Sequence, residues 1–175
     1  GYVREMPAAD GTPGDLLLHC QMPAESARAA VAWSRAHGLD PHVNIGDRLL
    51  IGRGPEQASD REAIAGVGPE YVADVLAAID GPVTKVMAVG VPGLPHRVLG
   101  AARAAFDGRL EVTVSHPEYL EFLPRGVTKS TGLAFVADRL GVPMSAVMAV
   151  GDQSNDLEML RDVGLGVAMG DAPAR

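Results

Sequence analysis

The sequence predicts an α/β protein in which a parallel-sheet unit at the end of the chain follows a longer α+β region. Residues 146–150 are all apolar and include the β-branched Val147 and Val150, which is typical of a buried strand, and the strand ends at Gly151. Helical patterns flank this strand at residues 131–140 and 155–163, and a second short strand follows at 166–169. A strand–helix–strand connection of this length is right-handed and joins parallel strands.

The region before this unit alternates short strands with helices. Residues 2–3 read as the remnant of a strand, and a loop rich in Gly and Pro follows up to residue 14. The predicted strands and helices are then a strand at 15–20, a helix at 23–37, a hairpin at 42–45 and 48–51, a helix at 70–79, a strand at 83–89, a helix at 94–106, and strands at 110–115 and 119–123. Strands in hairpins with helices between them predict a mixed or antiparallel sheet covered by helices on one face.

Composition limits the classes of protein that the chain can belong to. With 175 residues, 47% of them hydrophobic, it can bury a sizeable core in one domain or two small ones. The net charge of -7 argues against nucleic acid as a partner, and no apolar run is long enough to span a membrane. Cys20 is the single cysteine, which excludes an intrachain disulfide, so we expect a cytoplasmic protein.

Charged residues gather around the predicted parallel strand. Asp152 follows the strand directly, and Asp156 lies in the first turn of the next helix, at the sheet edge where open α/β sheets bind ligands. A plain capping turn is the alternative interpretation of these two residues alone. Lys129 stands at the entrance to the preceding helix. One ammonium group and two carboxylates suit a phosphate ester together with a hard cation such as Mg2+.

Three segments carry a resemblance to a known family: G-V-T-K-S-T-G-L at 126–133, G-D-Q-S-N-D-L-E-M-L at 151–160 and G-V-A-M-G-D-A at 166–172. They resemble motifs III and IV of the haloacid dehalogenase superfamily and, more narrowly, the Cof-type phosphatases with a type IIB cap. The resemblance implies a partial doubly wound, Rossmannoid core and an α+β cap domain. Residues 1–14 would enter from the core, 15–124 would form the cap, and 125–175 would form the C-terminal part of the core.

The resemblance also implies roles for four residues. Lys129 would contact the phosphoryl group and the nucleophile, and Asp152 would ligate Mg2+. Asn155 would lie near the transferring phosphate, and Asp156 would orient the lysine and the water shell of the metal. The implied reaction is Mg2+-dependent hydrolysis of a small phosphomonoester, such as a sugar phosphate, through an aspartyl-phosphate.

The sequence departs from the family at the nucleophile. The family carries Asp-x-Asp-Gly-Thr after its first core strand, whereas no Asp-x-Asp occurs in these 175 residues, and residues 10–12 (D-G-T) read as an ordinary turn. The motif II Ser or Thr is missing too. Three explanations stay open: a fragment of a longer phosphatase, a stand-alone module that binds phosphorylated ligands or Mg2+ without turnover, or a split enzyme completed by a partner chain. We expect the 175-residue chain to show no Mg2+-dependent phosphatase activity.

Overall fold

The computed structural model describes residues 2–6, 14–52, 68–170 and 172, and divides the chain into two units. The first unit combines residues 1–20 with 126–175, and the second comprises residues 21–125. The turn predicted at residues 10–12 and Asp171 of the third motif segment lie outside the described residues, as do residues 53–67 of the stretch 52–68, which the sequence predicts to be a surface loop.

The second unit is built on a six-stranded sheet in the order β5-β4-β3-β6-β8-β7. Its strands are β3 (Asp40–Ile45), β4 (Arg48–Ile51), β5 (Pro69–Tyr71), β6 (Lys85–Val89), β7 (Leu110–His116) and β8 (Tyr119–Pro124). Neighbouring strands are antiparallel except β4 and β5, which run parallel. The β3–β4 hairpin is confirmed, and Gly46 in its turn has the positive φ of 58° that glycine adopts without strain.

Three helices of the second unit share one hydrophobic core with one face of this sheet. They are α1 (Ala24–Ala36), α2 (Val75–Ala78) and α3 (Leu94–Ala105). The buried side of α1 is the face that its helical spacing predicts, and it carries Ala27, Ala30, Val31 and Ser34. From the sheet, Val86, Phe122 and Val112 enter the same core, on the neighbouring strands β6, β8 and β7. The mixed sheet with helices on one face is therefore confirmed.

The described residues of the first unit form two small sheets and two helices. β1 (Tyr2–Arg4) pairs antiparallel with β2 (Leu16–His19), and β9 (Met148–Gly151) pairs parallel with β10 (Leu165–Ala168). The helices are α4 (Lys129–Arg139) and α5 (Leu157–Asp162), with 3-10 turns at Met144–Ala146 and Ser154–Asp156. The parallel pairing of β9 with β10 agrees with the crossover predicted from sequence. The resemblance implies that residues 15–20 are part of the cap. In the structure these residues belong to the first unit, where β2 pairs with β1.

The helix predicted at residues 70–79 is wrong over its first half. Pro69–Tyr71 is strand β5 at the edge of the sheet, and only Val75–Ala78 is helical. The side chain of Asp74 accepts a hydrogen bond from the backbone N–H of Leu76, so the helix begins there. Backbone pairing with β4 therefore outweighs the helical pattern of the preceding residues.

Two predictions of burial in the first unit are also wrong. The strand expected to be buried is half exposed, since Met148 retains 62% of its accessible surface while Ala149 and Gly151 are buried. Leu140 shares the apolar side of the helix predicted at residues 131–140 with Leu133, Val136 and Ala137, but it is 71% exposed and lies at the C-terminal cap, since α4 ends at Arg139. Successive side chains of a strand point to opposite faces, and in β9 one of those faces carries exposed apolar residues.

Candidate functional site

The candidate site begins at Lys129, the first residue of α4. A capping box fixes this end of the helix: the hydroxyl of Thr128 accepts a hydrogen bond from the N–H of Thr131 at 3.2 Å, and the hydroxyl of Thr131 accepts one from the N–H of Thr128 at 3.0 Å. Lys129 therefore starts from a defined backbone position, with 49% of its side chain exposed.

Asp156 is the buried acceptor at the centre of the site. Its Oδ1 forms an ion pair with Nζ of Lys129, and its Oδ2 accepts hydrogen bonds from the backbone N–H groups of Asp152 at 3.1 Å and Gln153 at 3.0 Å. The side chain is nearly inaccessible to solvent. One carboxylate thus joins the start of α4 to the turn that follows β9.

Gly151 makes room for this carboxylate. A Cβ atom at residue 151 would lie 2.5 Å from Cβ and 2.7 Å from Cγ of Asp156, which is closer than such atoms approach one another. The glycine that ends β9 is therefore required by packing as well as by the turn. The G-D-x-x-x-D spacing places the second acid directly over the backbone of the glycine.

The environment of Asp156 favours its ionised form. Burial raises the pKa of this carboxyl group. The hydrogen bonds from Lys129 and from the backbone of Gln153 and Asp152 lower it and together outweigh burial, so the pKa lies below the ordinary value of 3.8. Asp156 is consequently a carboxylate at neutral pH, and it holds the ammonium group of Lys129 beside the end of β9.

Asp152 and Asn155 complete the group of residues singled out in the sequence. The exposed Asp152 follows β9 directly, and its Oδ2 accepts a hydrogen bond from Nε2 of Gln153 at 3.1 Å. Asn155 lies in the 3-10 turn between the two acids, and its Oδ1 is buried and has no hydrogen-bond partner among the described residues. A buried carbonyl oxygen without a donor is costly, and such an atom at a ligand site indicates a partner.

Two supporting residues escaped the sequence reasoning. Ser130 is buried, and its hydroxyl donates a hydrogen bond to Oδ2 of Asp162, so α4 is fastened to the end of α5. Gln153 holds the carboxylate of Asp152 through its side-chain amide. The Ser130–Asp162 contact joins residues 32 positions apart, so no local sequence pattern predicts it. The Gln153–Asp152 contact joins neighbouring residues, and a Gln next to an Asp does not by itself indicate a hydrogen bond between their side chains.

The oxygen atoms of the site fit Mg2+ as part of a larger coordination shell. Carboxylate and amide oxygens are the ligands that Mg2+ prefers, and the ion usually takes one or two protein carboxylates together with water and phosphate oxygens. Asp152 presents an exposed carboxylate, and Asn155 contributes the orphaned Oδ1. Within the described ranges, no group of three or more His, Cys, Asp or Glu side chains could hold a metal by itself.

The parallel strands and the lysine–aspartate pair at the end of β9 define a protein of the α/β class with a candidate ligand site at a strand terminus. The model of the haloacid dehalogenase-like hydrolase family matches residues 11–175. The chain therefore belongs to this family. None of the described helices is both long enough and apolar enough to cross a membrane.

Curated relatives and solved structures agree with this assignment. The chain is 48% identical over 63 residues to the 5-amino-6-(5-phospho-D-ribitylamino)uracil phosphatase YcsE of Bacillus subtilis. The aligned residues cover 36% of this chain and 25% of that protein. It is 44% identical over 68 residues to the HMP-PP phosphatase of Enterobacter sp. (strain 638), covering 39% of this chain and 25% of the relative. The chain thus matches about a quarter of the length of these relatives.

The fold extends further than the sequence identity. A haloacid dehalogenase-like hydrolase from Bacteroides thetaiotaomicron superposes with a TM-score of 0.71 at 27% identity, over 91% of this chain and 60% of the other. A subclass IIB sugar phosphatase superposes with a TM-score of 0.71 over the same shares, and its 20% identity establishes likeness of fold alone. Both comparisons support the α/β class predicted from sequence.

Proposed function

We propose that this chain is the part of a phosphatase that carries the phosphate-binding lysine and the magnesium-binding aspartate. The phosphatase hydrolyses small phosphomonoesters, such as sugar phosphates, through an aspartyl-phosphate. The observation that carries the proposal is the ion pair between Lys129 and the buried carboxylate of Asp156, one turn from the exposed carboxylate of Asp152. An ammonium group beside a cation-binding carboxylate is suited to a phosphate dianion. The names of the curated phosphatase relatives support this class of reaction.

Each residue has a distinct role in this proposal. Lys129 binds phosphoryl oxygens through the ammonium group of its half-exposed side chain, and Asp156 orients that group. Asp152 would hold Mg2+, Asp156 would also orient the water shell of the metal, and Asn155, whose Oδ1 is buried without a hydrogen-bond partner among the described residues, would lie near the phosphate. When bound, Mg2+ would neutralise charge on the phosphate oxygens. The remaining steps require a nucleophile, for which the family uses Asp-x-Asp.

The second candidate function is a module that binds phosphate and Mg2+ without turnover. The specific observation in its favour is that Asp-x-Asp does not occur in these 175 residues. Both candidates assign the same binding roles to the lysine and the aspartates, and they differ only in the chemical step.

Calorimetric titration with inorganic phosphate in the presence of Mg2+ tests the binding part of the proposal. We expect saturable binding that weakens about tenfold or more in Lys129→Met and in Asp152→Asn, because each loses a charged contact. Lys85→Met is the matched control, since Lys85 also pairs with a carboxylate but lies on β6 of the second unit. Binding that is absent, or equally strong in all variants, would refute the proposed site.

Turnover of p-nitrophenyl phosphate tests whether the 175-residue chain performs the chemical step by itself. Binding without turnover is the expected result for the 175-residue chain and agrees with the sequence. Robust Mg2+-dependent turnover that Asp152→Asn abolishes would show that the chain hydrolyses phosphate esters with a nucleophile other than an Asp-x-Asp motif.

A further inference from the structure

The side-chain amide of Gln153 is held between the two aspartates of the candidate site. Its Nε2 donates a hydrogen bond to Oδ2 of Asp152 at 3.1 Å. Its carbonyl oxygen accepts from the backbone N–H of Asp156 as one half of a capping box, and Oδ2 of Asp156 accepts in return from the backbone N–H of Gln153 at 3.0 Å. Three hydrogen bonds therefore fix the position of this residue.

The contact with Gln153 engages one oxygen of the Asp152 carboxylate. Among the described residues, the hydrogen bonds to this side chain reach Oδ2 alone. Asp152 is exposed, whereas the carboxylate of Asp156 is buried and already pairs with Lys129 and with two backbone N–H groups. The carboxylate oxygen that this turn leaves to a cation is thus Oδ1 of Asp152.

Mg2+ and Ca2+ differ in what they require of a carboxylate. Mg2+ demands near-ideal octahedral geometry at about 2.0–2.1 Å and keeps several waters beside one or two carboxylates. Ca2+ accepts about six to eight oxygen ligands at about 2.3–2.6 Å and can take both oxygens of one carboxylate. A hydrogen bond to Oδ2 is compatible with binding through one oxygen and competes with binding through two.

Capping alone explains only half of the contacts of the Gln153 amide. A cap needs an acceptor for the N–H of Asp156, and short side chains such as Ser, Thr, Asp and Asn are the preferred residues for it. The longer glutamine also brings an N–H donor, which the structure directs to the neighbouring carboxylate. Side chains that hydrogen-bond a metal-binding residue orient it and tune its affinity.

We propose that Gln153 sets the cation preference of the site: by holding Oδ2 of Asp152, it shifts binding towards Mg2+ and away from Ca2+. The inference rests on the proposed function in one respect, since it takes Asp152 as the residue that holds the cation. Gln153 acts through Asp152 and is a positioning residue. The effect requires neither phosphate nor turnover.

The test is an 1H–15N correlation spectrum of the 175-residue chain, titrated separately with MgCl2 and CaCl2 in the absence of phosphate. Shifts of the amide signals of residues 151–157 give an apparent Kd for each ion, and the ratio of the Kd for Mg2+ to that for Ca2+ measures the preference. In Gln153→Ala this ratio should rise about tenfold, because the site loses a contact that favours Mg2+ and Ca2+ gains the second oxygen of Asp152.

A second variant separates the donor from the cap. Gln153→Glu keeps the length of the side chain and an acceptor for the N–H of Asp156, but it has no N–H donor for Asp152. The added charge attracts both ions, so the ratio remains the informative quantity, and it should again rise. Gln21→Ala is the matched control: it removes another exposed glutamine contact, from Nε2 to the carbonyl of Pro82 in the second unit, and should leave the ratio unchanged.

The possible results distinguish this inference from the proposed function. If both Kd values change by the same factor in Gln153→Ala and Gln153→Glu, Gln153 only stabilises the turn, and the inference is overturned while the proposed function stands. If Mg2+ shifts no signal at residues 151–157, or if its shifts persist in Asp152→Asn, the inference loses its premise and is overturned as well. Calorimetric titration with phosphate then decides separately whether the proposed function holds.

Discussion

Asp156 contributes to stability in a way that depends on its charge, because its carboxylate accepts from Lys129 and from two backbone N–H groups. We expect Asp156→Asn to lower the free energy of unfolding at about pH 6 by about 1–3 kcal/mol. The folded-state pKa is depressed, so this contribution is complete above the ordinary value of 3.8 and is lost as the pH falls through the folded-state pKa.

Urea unfolding of wild type and Asp156→Asn at about pH 6 and about pH 2.5 measures this effect. The difference between the two proteins should shrink in acid. Asp152→Asn is the control, since the Asp152 carboxylate is exposed and accepts one side-chain hydrogen bond, and it should cost less at neutral pH. A wild-type advantage that persists unchanged in acid would contradict the assignment.

Gly151 provides a second test at the scale of one residue. Gly151→Ala places a methyl group against the Asp156 side chain, so we expect a loss of about 1–3 kcal/mol and weaker binding of phosphate with Mg2+. Gly132→Ala is the control, because a Cβ there meets nothing within 4 Å and alanine favours the interior of α4. Thermal unfolding should rank Gly132→Ala at or above wild type, and the reverse order would refute the packing argument.

At the scale of elements, the N-terminus of α4 positions Lys129 through its capping box. Thr128→Ala removes the acceptor for the N–H of Thr131 and should cost about 1 kcal/mol in urea unfolding. It should also weaken phosphate binding, because Lys129 loses its fixed starting point. Thr128→Ser keeps the hydroxyl and should retain most of both properties; equal losses in the two variants would mean that the methyl group of threonine matters instead.

The strands and helices that the sequence predicted correctly are those with long, regular periodicity. Helix α1 and the β3–β4 hairpin follow from the spacing of apolar residues and from a Gly-Asp turn. The strand β5 could not be predicted, because its three residues owe their conformation to pairing with β4 and carry little pattern of their own. Burial in β9 was overestimated for a related reason: an apolar run does not reveal how many layers cover it.

The candidate site was largely predictable because its residues lie close together in sequence around one strand end. Lys129 lies 27 positions before Asp156, and its place at the start of the helix that leads to the strand is what predicted the connection. The buried Oδ1 of Asn155, the cover that Asp156 forms over Gly151 and the Ser130–Asp162 contact all depend on packing in three dimensions. No pattern in the sequence predicts these features.

At the scale of the whole molecule, the hydrophobic core belongs to one unit. Among the described residues, every member of the cluster of buried apolar residues that runs from Met22 to Phe122 lies within residues 21–125. We therefore expect a fragment of residues 21–125 to fold alone and to unfold cooperatively on heating, as followed by circular dichroism. A fragment without a cooperative transition would show that this unit depends on residues outside it.

The outer side of β9 and β10 bears on how the chain behaves in concentrated solution. Met148, Val150, Leu165 and Val167 are all exposed there, while a net charge of -7 keeps separate molecules apart. Salt screens this electrostatic repulsion, with a screening length of about 10 Å at 0.1 M, and does not weaken the attraction between exposed apolar surfaces. Dilute buffer should therefore keep the protein dispersed, and ammonium sulfate should precipitate it readily.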